Sequence, residues 1–278
     1  GVYVLELSSY QIDLTQSLDC DVAVLLNITP DHLDRYENFE AYAGSKRRLF
    51  EMQSPGHNAV VDVSSATEFD VLNSPDQKVG VIASCIEDVF DFKDLKAREQ
   101  REWPALQGPH NLENAAGAIE VCDILGLSEE QARDGLCSFP GLPHRMERIR
   151  ERGGVLFVND SKATNAEAAA PALAAYPKVR WIVGGQAKSE TLGDTANHLD
   201  HVAAAYTIGE AGPMFARLLR DAGVTVIECE TLENAVKRAA EDSQAGETVL
   251  LSPASASFDQ YKDFEARGDH FRELVGAL

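Results

Sequence analysis

Cysteine is scarce in this 278-residue chain and poorly placed for paired chemistry. Cys20, Cys85, Cys122, Cys137 and Cys229 are odd in number, widely spaced and without a C-x-x-C pair. That pattern argues against a disulfide framework and a zinc site, and for a reducing, cytoplasmic setting. Positive charge is also short, with 25 Lys plus Arg against 45 Asp plus Glu and a formal net charge of −20. Such a balance repels polyanions, which excludes nucleic acid and an anionic membrane surface as main partners. No run approaches the roughly 20 apolar residues of a membrane span, and no basic segment followed by an apolar stretch opens the chain. An initiating Met is missing too. The apolar Val2 to Leu5 reads as a buried strand entering a turn, so the chain is expected to begin inside a fold.

Composition itself is ordinary for a globular protein, 44% hydrophobic and 25% charged, and the length suits one large or two medium α/β domains. Val22 to Ile28 predicts a second buried strand, followed by a polar turn and a helix over Phe39 to Met52. Short β-like runs with turn residues fill Ala59 to Ser84, and Asp88 to Gln107 is charged and irregular. An Ala-rich helical pattern runs from Asn111 to about Leu125, stops at Gly126 and restarts after Ser128, with Glu129 and Glu130 in a first turn. Two prolines and a glycine in Phe139-Pro140-Gly141-Leu142-Pro143 mark a domain boundary. It separates residues 1–141 from residues 142–278.

Beyond that boundary, strands predicted at Val155 to Val158, Trp181 to Val183, Ala203 to Ile208, Val224 to Ile227 and Thr248 to Leu251 alternate with helices. The helices are predicted at Ala166 to Ala174, Met214 to Asp221, Leu232 to Glu241 and Phe264 to Leu274. The alternation implies a Rossmann-like, doubly wound, mostly parallel sheet, whose ligands gather beyond the carboxyl ends of the strands.

The polar residues after each strand are therefore the candidates. Glu6-Leu7-Ser8-Ser9-Tyr10-Gln11 and Asn27-Ile28-Thr29-Pro30-Asp31-His32 could bring a carboxylate and an imidazole to a divalent cation, with Mg²⁺ favoured by the surrounding oxygens. Spacing alone does not separate that from an N-cap cluster and a surface histidine. Lys46 lies on an amphipathic helix, where a solvated lysine is the default. Asn159-Asp160-Ser161-Lys162-Ala163-Thr164-Asn165 follows a strand and opens a helix, a position where backbone N–H groups attract an anion. In Gly184-Gly185-Gln186-Ala187-Lys188, two glycines permit close approach before a lysine; a tight βα turn is the alternative. Three serines between Ser252 and Ser257 suit carboxylate binding, and nothing there forms the G-x-S-x-G of a hydrolase.

Read in order, ELSSYQ, NITPDHLDRY, the helix carrying Lys46, GPHNLENAAGA, PHRMER, NDSKATN, VGGQAKS and LSPASASFDQYKDFEARGDHF resemble the Mur ligase family along nearly the whole chain. NDSKATN and the last segment look most like its D-glutamate-adding branch. The resemblance implies a central ATP-binding domain over 1–141 and an amino-acid-binding domain over 142–278. It also implies a cytoplasmic, monomeric ligase of peptidoglycan precursor synthesis. In that reaction ATP phosphorylates the terminal carboxylate of UDP-N-acetylmuramoyl-L-alanine and the amine of D-glutamate attacks the acyl phosphate. Glu6 and His32 are then expected to bind Mg²⁺ together with a carbamylated Lys46, since a carbamate would turn a cation into an oxygen donor. Asn111 and Asn114 would approach adenine, Arg145 the γ-phosphate and Asp160 the ribose. Lys162, Thr164, Lys188, Ser257 and Phe264 would hold D-glutamate, with Ser8 and Gln11 on the muramoyl-alanyl side.

These residues contain neither the G-x-x-x-x-G-K-[ST] phosphate loop of a complete family member nor its uridine-binding domain, so no ligase activity is expected of this chain alone. Two further readings fit the same motifs. One is a folylpolyglutamate synthetase-like ligase; the other is a non-catalytic module that binds an acidic amino acid or a nucleotide.

Overall fold

The computed structural model describes residues 1–28, 35–61 and 99–278. They form two compact units, one made of Gly1–Glu99 with Leu112–Leu136, the other of Gln100–Asn111 with Cys137–Leu278.

In the first unit, Val22–Leu25 (β1) and Asn58–Val61 (β2) pair in parallel, with Val22 opposite Asn58 and Leu25 opposite Val61. Between them lies the helix Phe39–Glu51 (α2), capped by the Asn38 side chain, which accepts the Ala41 N–H at 2.9 Å. Tyr42 and Phe50 from α2 pack on Ala23, Leu25, Ala59 and Val61 to make a small core. A short helix, Ser9–Leu14 (α1), is tied to α2 through Asp13, which accepts from Ser45 Oγ at 2.6 Å and Tyr36 OH at 2.7 Å. The helices Pro109–Ile124 (α3) and Glu129–Ser138 (α4) follow, separated by Gly126 at φ +77°; the first turn of α3, up to Asn111, and the end of α4, from Cys137, fall in the second unit. Ser128 caps α4 as the sequence suggests, in a reciprocal pair with Gln131.

The expected strand over Val2 to Leu5 does not form. Val4 is 92% exposed, and among the described residues the segment has no ladder partner. A strand needs a neighbouring backbone to satisfy its N–H and C=O groups and a surface to cover its apolar face, and this run has neither here. The expected runs from residue 62 to residue 98 lie outside the described residues.

The second unit is the doubly wound sheet that the alternation predicts. Its strands are Glu147–Arg152 (β3), Val155–Asn159 (β4), Val179–Gly184 (β5), Val202–Ile208 (β6), Val226–Glu230 (β7) and Thr248–Leu251 (β8), in the order β3-β4-β8-β5-β6-β7. All neighbours run parallel except β3, which is antiparallel to β4. One face is covered by Ala166–Ala175 (α5) and Gly212–Asp221 (α6), which bury Leu173, Phe215 and Leu219 over Trp181 and Val183. The other is covered by Leu232–Asp242 (α7) and Phe264–Ala277 (α8), with Leu232, Val236, Phe271 and Val275 over Ile182, Tyr206 and Leu251. Strands buried on both faces carry continuous apolar runs, which is why β5 and β8 stand out in the sequence. β3 (ERIRER) is instead a charged edge strand and gives no such signal.

Candidate active site

The carboxyl ends of β4, β5 and β8 are laced together by backbone. Gly184 N donates to Pro253 O at 2.9 Å, and Gln186 and Ala256 exchange both N–H···O bonds, at 2.8 and 3.0 Å. Both glycines after β5 are at positive φ, +125° for Gly184 and +131° for Gly185. A Cβ on Gly184 would lie 2.0 Å from Ile208 O, and one on Gly185 2.3 Å from Ala256 O. The close approach that these glycines permit is thus by neighbouring backbone of the protein itself, the end of β6 and the loop after β8.

The loop after β4 joins this edge through side chains. Ser161 Oγ donates to Phe264 O at 2.8 Å. The fully buried Arg267 of α8 donates to Ser161 Oγ and O at 2.9 Å, to Ser255 O at 3.0 Å and to Ala256 O at 3.3 Å. Burial lowers its guanidinium to about 10. The structure therefore brings the segments carrying Lys162, Lys188, Ser257 and Phe264 to one edge of the second unit. Lys162 and Lys188 are exposed there, Thr164 and Phe264 half-buried and Ser257 buried. Lys188 also lines, with Gln186, Glu210 and Met214, a depression of about 370 Å³.

Asp160 sits beneath this edge, 4% exposed, accepting from Ser252 Oγ at 2.7 Å and from Met146 N at 3.1 Å. Burial pushes its carboxyl up to about 7 against those hydrogen bonds and the pull of Arg145. The Arg145 guanidinium is exposed, and among the described residues no carboxylate pairs with it. It also helps burial bring His110 down to about 4. Asn111 lies on the first turn of α3 in the same unit, and its Nδ2 donates to Gln107 O at 3.0 Å.

The remaining candidates belong to the first unit or lie outside the described residues. Glu6 is exposed. Ser8 and Gln11 spend their side chains on each other as the capping box of α1: Gln11 Oε1 accepts Ser8 N at 2.8 Å, and Ser8 Oγ accepts Gln11 N at 3.3 Å. Lys46 is half-buried on α2, its ammonium 5.3 Å from the Tyr42 ring centroid. Asn114 is half-buried on α3. His32 lies outside the described residues, and among the described ones no three His, Cys, Asp or Glu gather as a metal site.

Two family descriptions match the chain: Mur ligase middle domain over residues 1–122, and Mur ligase, glutamate ligase domain over residues 144–255. The chain belongs to the Mur ligase family. It is 54% identical over 281 residues to the UDP-N-acetylmuramoylalanine–D-glutamate ligase of Novosphingobium aromaticivorans and 53% identical over 278 residues to that of Zymomonas mobilis. In both cases the match takes in 100% of this chain and 61% of the relative, so the chain spans less than two thirds of their length. Among solved structures, the UDP-N-acetylmuramate-alanine ligase MurC of Thermotoga maritima shares the fold with a TM-score of 0.64 at 14% identity, over 97% of this chain and 62% of that one. The E. coli FolC structure with DHPP and ADP does so with a TM-score of 0.60 at 21% identity, over 94% and 62%.

In this Mur ligase the charged and hydroxyl residues after each strand stand out in the sequence, and the residues that hold them do not. Asn159, fully buried, donates through Nδ2 to Glu147 Oε2 at 3.1 Å and to Gly268 O at 3.2 Å. Arg272 grips Glu147 with Nη2 at 2.8 and 2.9 Å. Glu147 was within reach of sequence reading, inside PHRMER, but as part of a charged run it carries no pattern of its own. Arg272 lies eight residues past Phe264, on a helix predicted for its apolar face alone. No helix among the described residues is long and apolar enough to cross a membrane.

Proposed function

We propose that this chain carries nucleotide-handling and acceptor-binding parts of a ligase joining D-glutamate to UDP-N-acetylmuramoyl-L-alanine, a step of peptidoglycan precursor synthesis in the cytoplasm. The observation that carries the reading is the convergence of Lys162, Lys188, Ser257 and Phe264 on one strand-end edge, in a chain 54% identical over its whole length to a relative bearing that name. Two exposed ammonium groups suit an amino acid with two carboxylates, and the buried Ser257 and half-buried Phe264 close its apolar side. Residues 142–278 form the acceptor domain in this reading and residues 1–141 the ATP domain.

ATP with Mg²⁺ supplies the phosphoryl group that activates the muramoyl-alanine carboxylate. Arg145, exposed and without a carboxylate partner among the described residues, places positive charge where the γ-phosphate is transferred. Asn111 and Asn114, three residues apart on α3, face adenine, and Asp160 serves the ribose side. Of the three metal ligands, Glu6 is an exposed carboxylate open to an ion, whereas an ammonium has no lone pair to give. Lys46 therefore fits Mg²⁺ only as its carbamate, with His32 as the imidazole member of the proposed ligand set. Ser8 and Gln11 meet the muramoyl-alanyl group from the start of α1. The protein acts as a monomer.

Calorimetry with D-glutamate, L-glutamate and D-alanine, with and without ADP and Mg²⁺, tests the acceptor site. D-glutamate is expected to bind selectively, and Lys188→Ala to remove the heat. Equal binding of L-glutamate, or binding indifferent to Lys188, would sink the assignment.

A further inference from the structure

We propose that Glu147 is a positioning residue for Arg145, its carboxylate locking the left-handed turn that presents the guanidinium. The inference rests on the reading of Arg145 as the phosphate-facing cation.

Arg145 is flanked by two residues in a conformation that L side chains avoid, His144 at φ +61° and Met146 at φ +46°. Neither is Gly, Asn or Asp, so the turn does not hold itself and its surroundings must impose it. Three hydrogen bonds do so. His144 N donates to Glu147 Oε2 at 3.0 Å, Arg145 N to Leu142 O at 3.2 Å and Met146 N to Asp160 Oδ1 at 3.1 Å. His144 O in turn accepts Lys162 N at 3.0 Å, which fastens the turn to the loop after β4.

Asp160 is held by Ser252 Oγ at 2.7 Å, and Glu147 is the anchor gripped by a cation. Arg272 Nη2 donates to both of its oxygens, Asn159 Nδ2 donates to Oε2, and Arg272 Nη1 is itself set by Asp269 at 2.6 Å. The His144 ring lies against the backbone of the same helix, where a Cβ on Gly268 would come within 2.1 Å of Nδ1. A charge serving only to keep an edge strand soluble points outward, as Glu151 does with its side chain 62% exposed; that of Glu147 is 21% exposed and turned to the turn. Two carboxylates, an asparagine and an arginine thus fix one turn whose own side chain is left reaching outward. The arrangement suits a cation that has to be in place before its phosphate arrives.

The test is a double-mutant cycle on the full protein, with ligase turnover as one readout and amide exchange as the other. Glu147→Ala is expected to lower kcat at least tenfold with KM for D-glutamate little changed, and to cost almost nothing further in an Arg145→Lys background. Amide exchange at His144 and Met146 is expected to rise at least tenfold, with β5 unaffected. Arg272→Gln, on a partly exposed side chain, should move both readouts in the same direction by less, and carries the test if Glu147→Ala does not fold. Additive losses in the cycle, or unchanged exchange at the two amides, overturn the inference. Full turnover in Arg145→Ala would overturn the reading beneath it instead, and the exchange result stands apart from that outcome.

Discussion

Gly184 shows how far single residues of this edge could be read in advance. The Gly-Gly pair is legible as a place of close approach, yet what approaches is the β6 backbone, with Ile208 O 2.0 Å from where a Cβ would sit. Sequence shows that a side chain is absent and cannot show what fills the space. A backbone carbonyl cannot rotate away as a flexible side chain can, and φ +125° adds strain for any L residue. Gly184→Ala is therefore expected to cost about 3 kcal/mol or more, read as a lower urea midpoint. A loss below about 1 kcal/mol would show that β5 and β6 can part there without harm. Glu147 and Arg272 were less legible, because what matters about them is their pairing across 125 residues of sequence.

Among the elements, what could be read follows from burial. Strands β4, β5, β6 and β8 are covered on both faces, and their apolar runs place them to within a residue or two. The charged β3 and the Gly193–His201 3₁₀ segment carry no such run, and Val2 to Leu5 is apolar without being paired among the described residues. Hydrophobicity predicts a strand only where another backbone completes it. Caps are read more directly, because one side chain and one N–H within four residues settle the matter. Asn165 Oδ1 accepts Ala168 N at 2.7 Å at the start of α5, right after the loop that carries Lys162 and Thr164. Asn165→Ala is expected to cost about 1 kcal/mol and Asn165→Asp almost nothing. Thermal melts that do not separate the two variants would show that tertiary packing, not the cap, fixes this end of α5.

Over the whole second unit, two buried carboxylates respond to pH in opposite directions. Glu247, 2% exposed, lies at the entry to β8, opposite the end that carries the acceptor residues. Burial raises its carboxyl, but hydrogen bonds from Arg180 at 2.7 Å and Lys178 at 2.7 Å outweigh that and bring it down to about 2 from 4.5. A lowered folded value means stability present above pH 4.5 and lost as pH falls through about 2, worth about 3 kcal/mol. Asp160 runs the other way: burial raises it from 3.8 to about 7. Its contribution is complete below pH 3.8 and is lost as pH climbs through about 7, on the order of 4 kcal/mol. Both tryptophans, Trp103 and Trp181, are buried in this unit, so their fluorescence follows its unfolding. Wild-type stability is expected to rise from pH 2 to about 4.5 and to decline from there toward pH 7. Glu247→Gln should flatten the acid limb and lower stability at neutral pH, because Arg180 and Lys178 lose their counter-charge. Asp160→Asn should flatten only the limb above pH 4. If the neutral limb persists unchanged in Asp160→Asn, the carboxyl is already ionised in the folded protein. The turn around Arg145 is then held by a carboxylate at all working pH values.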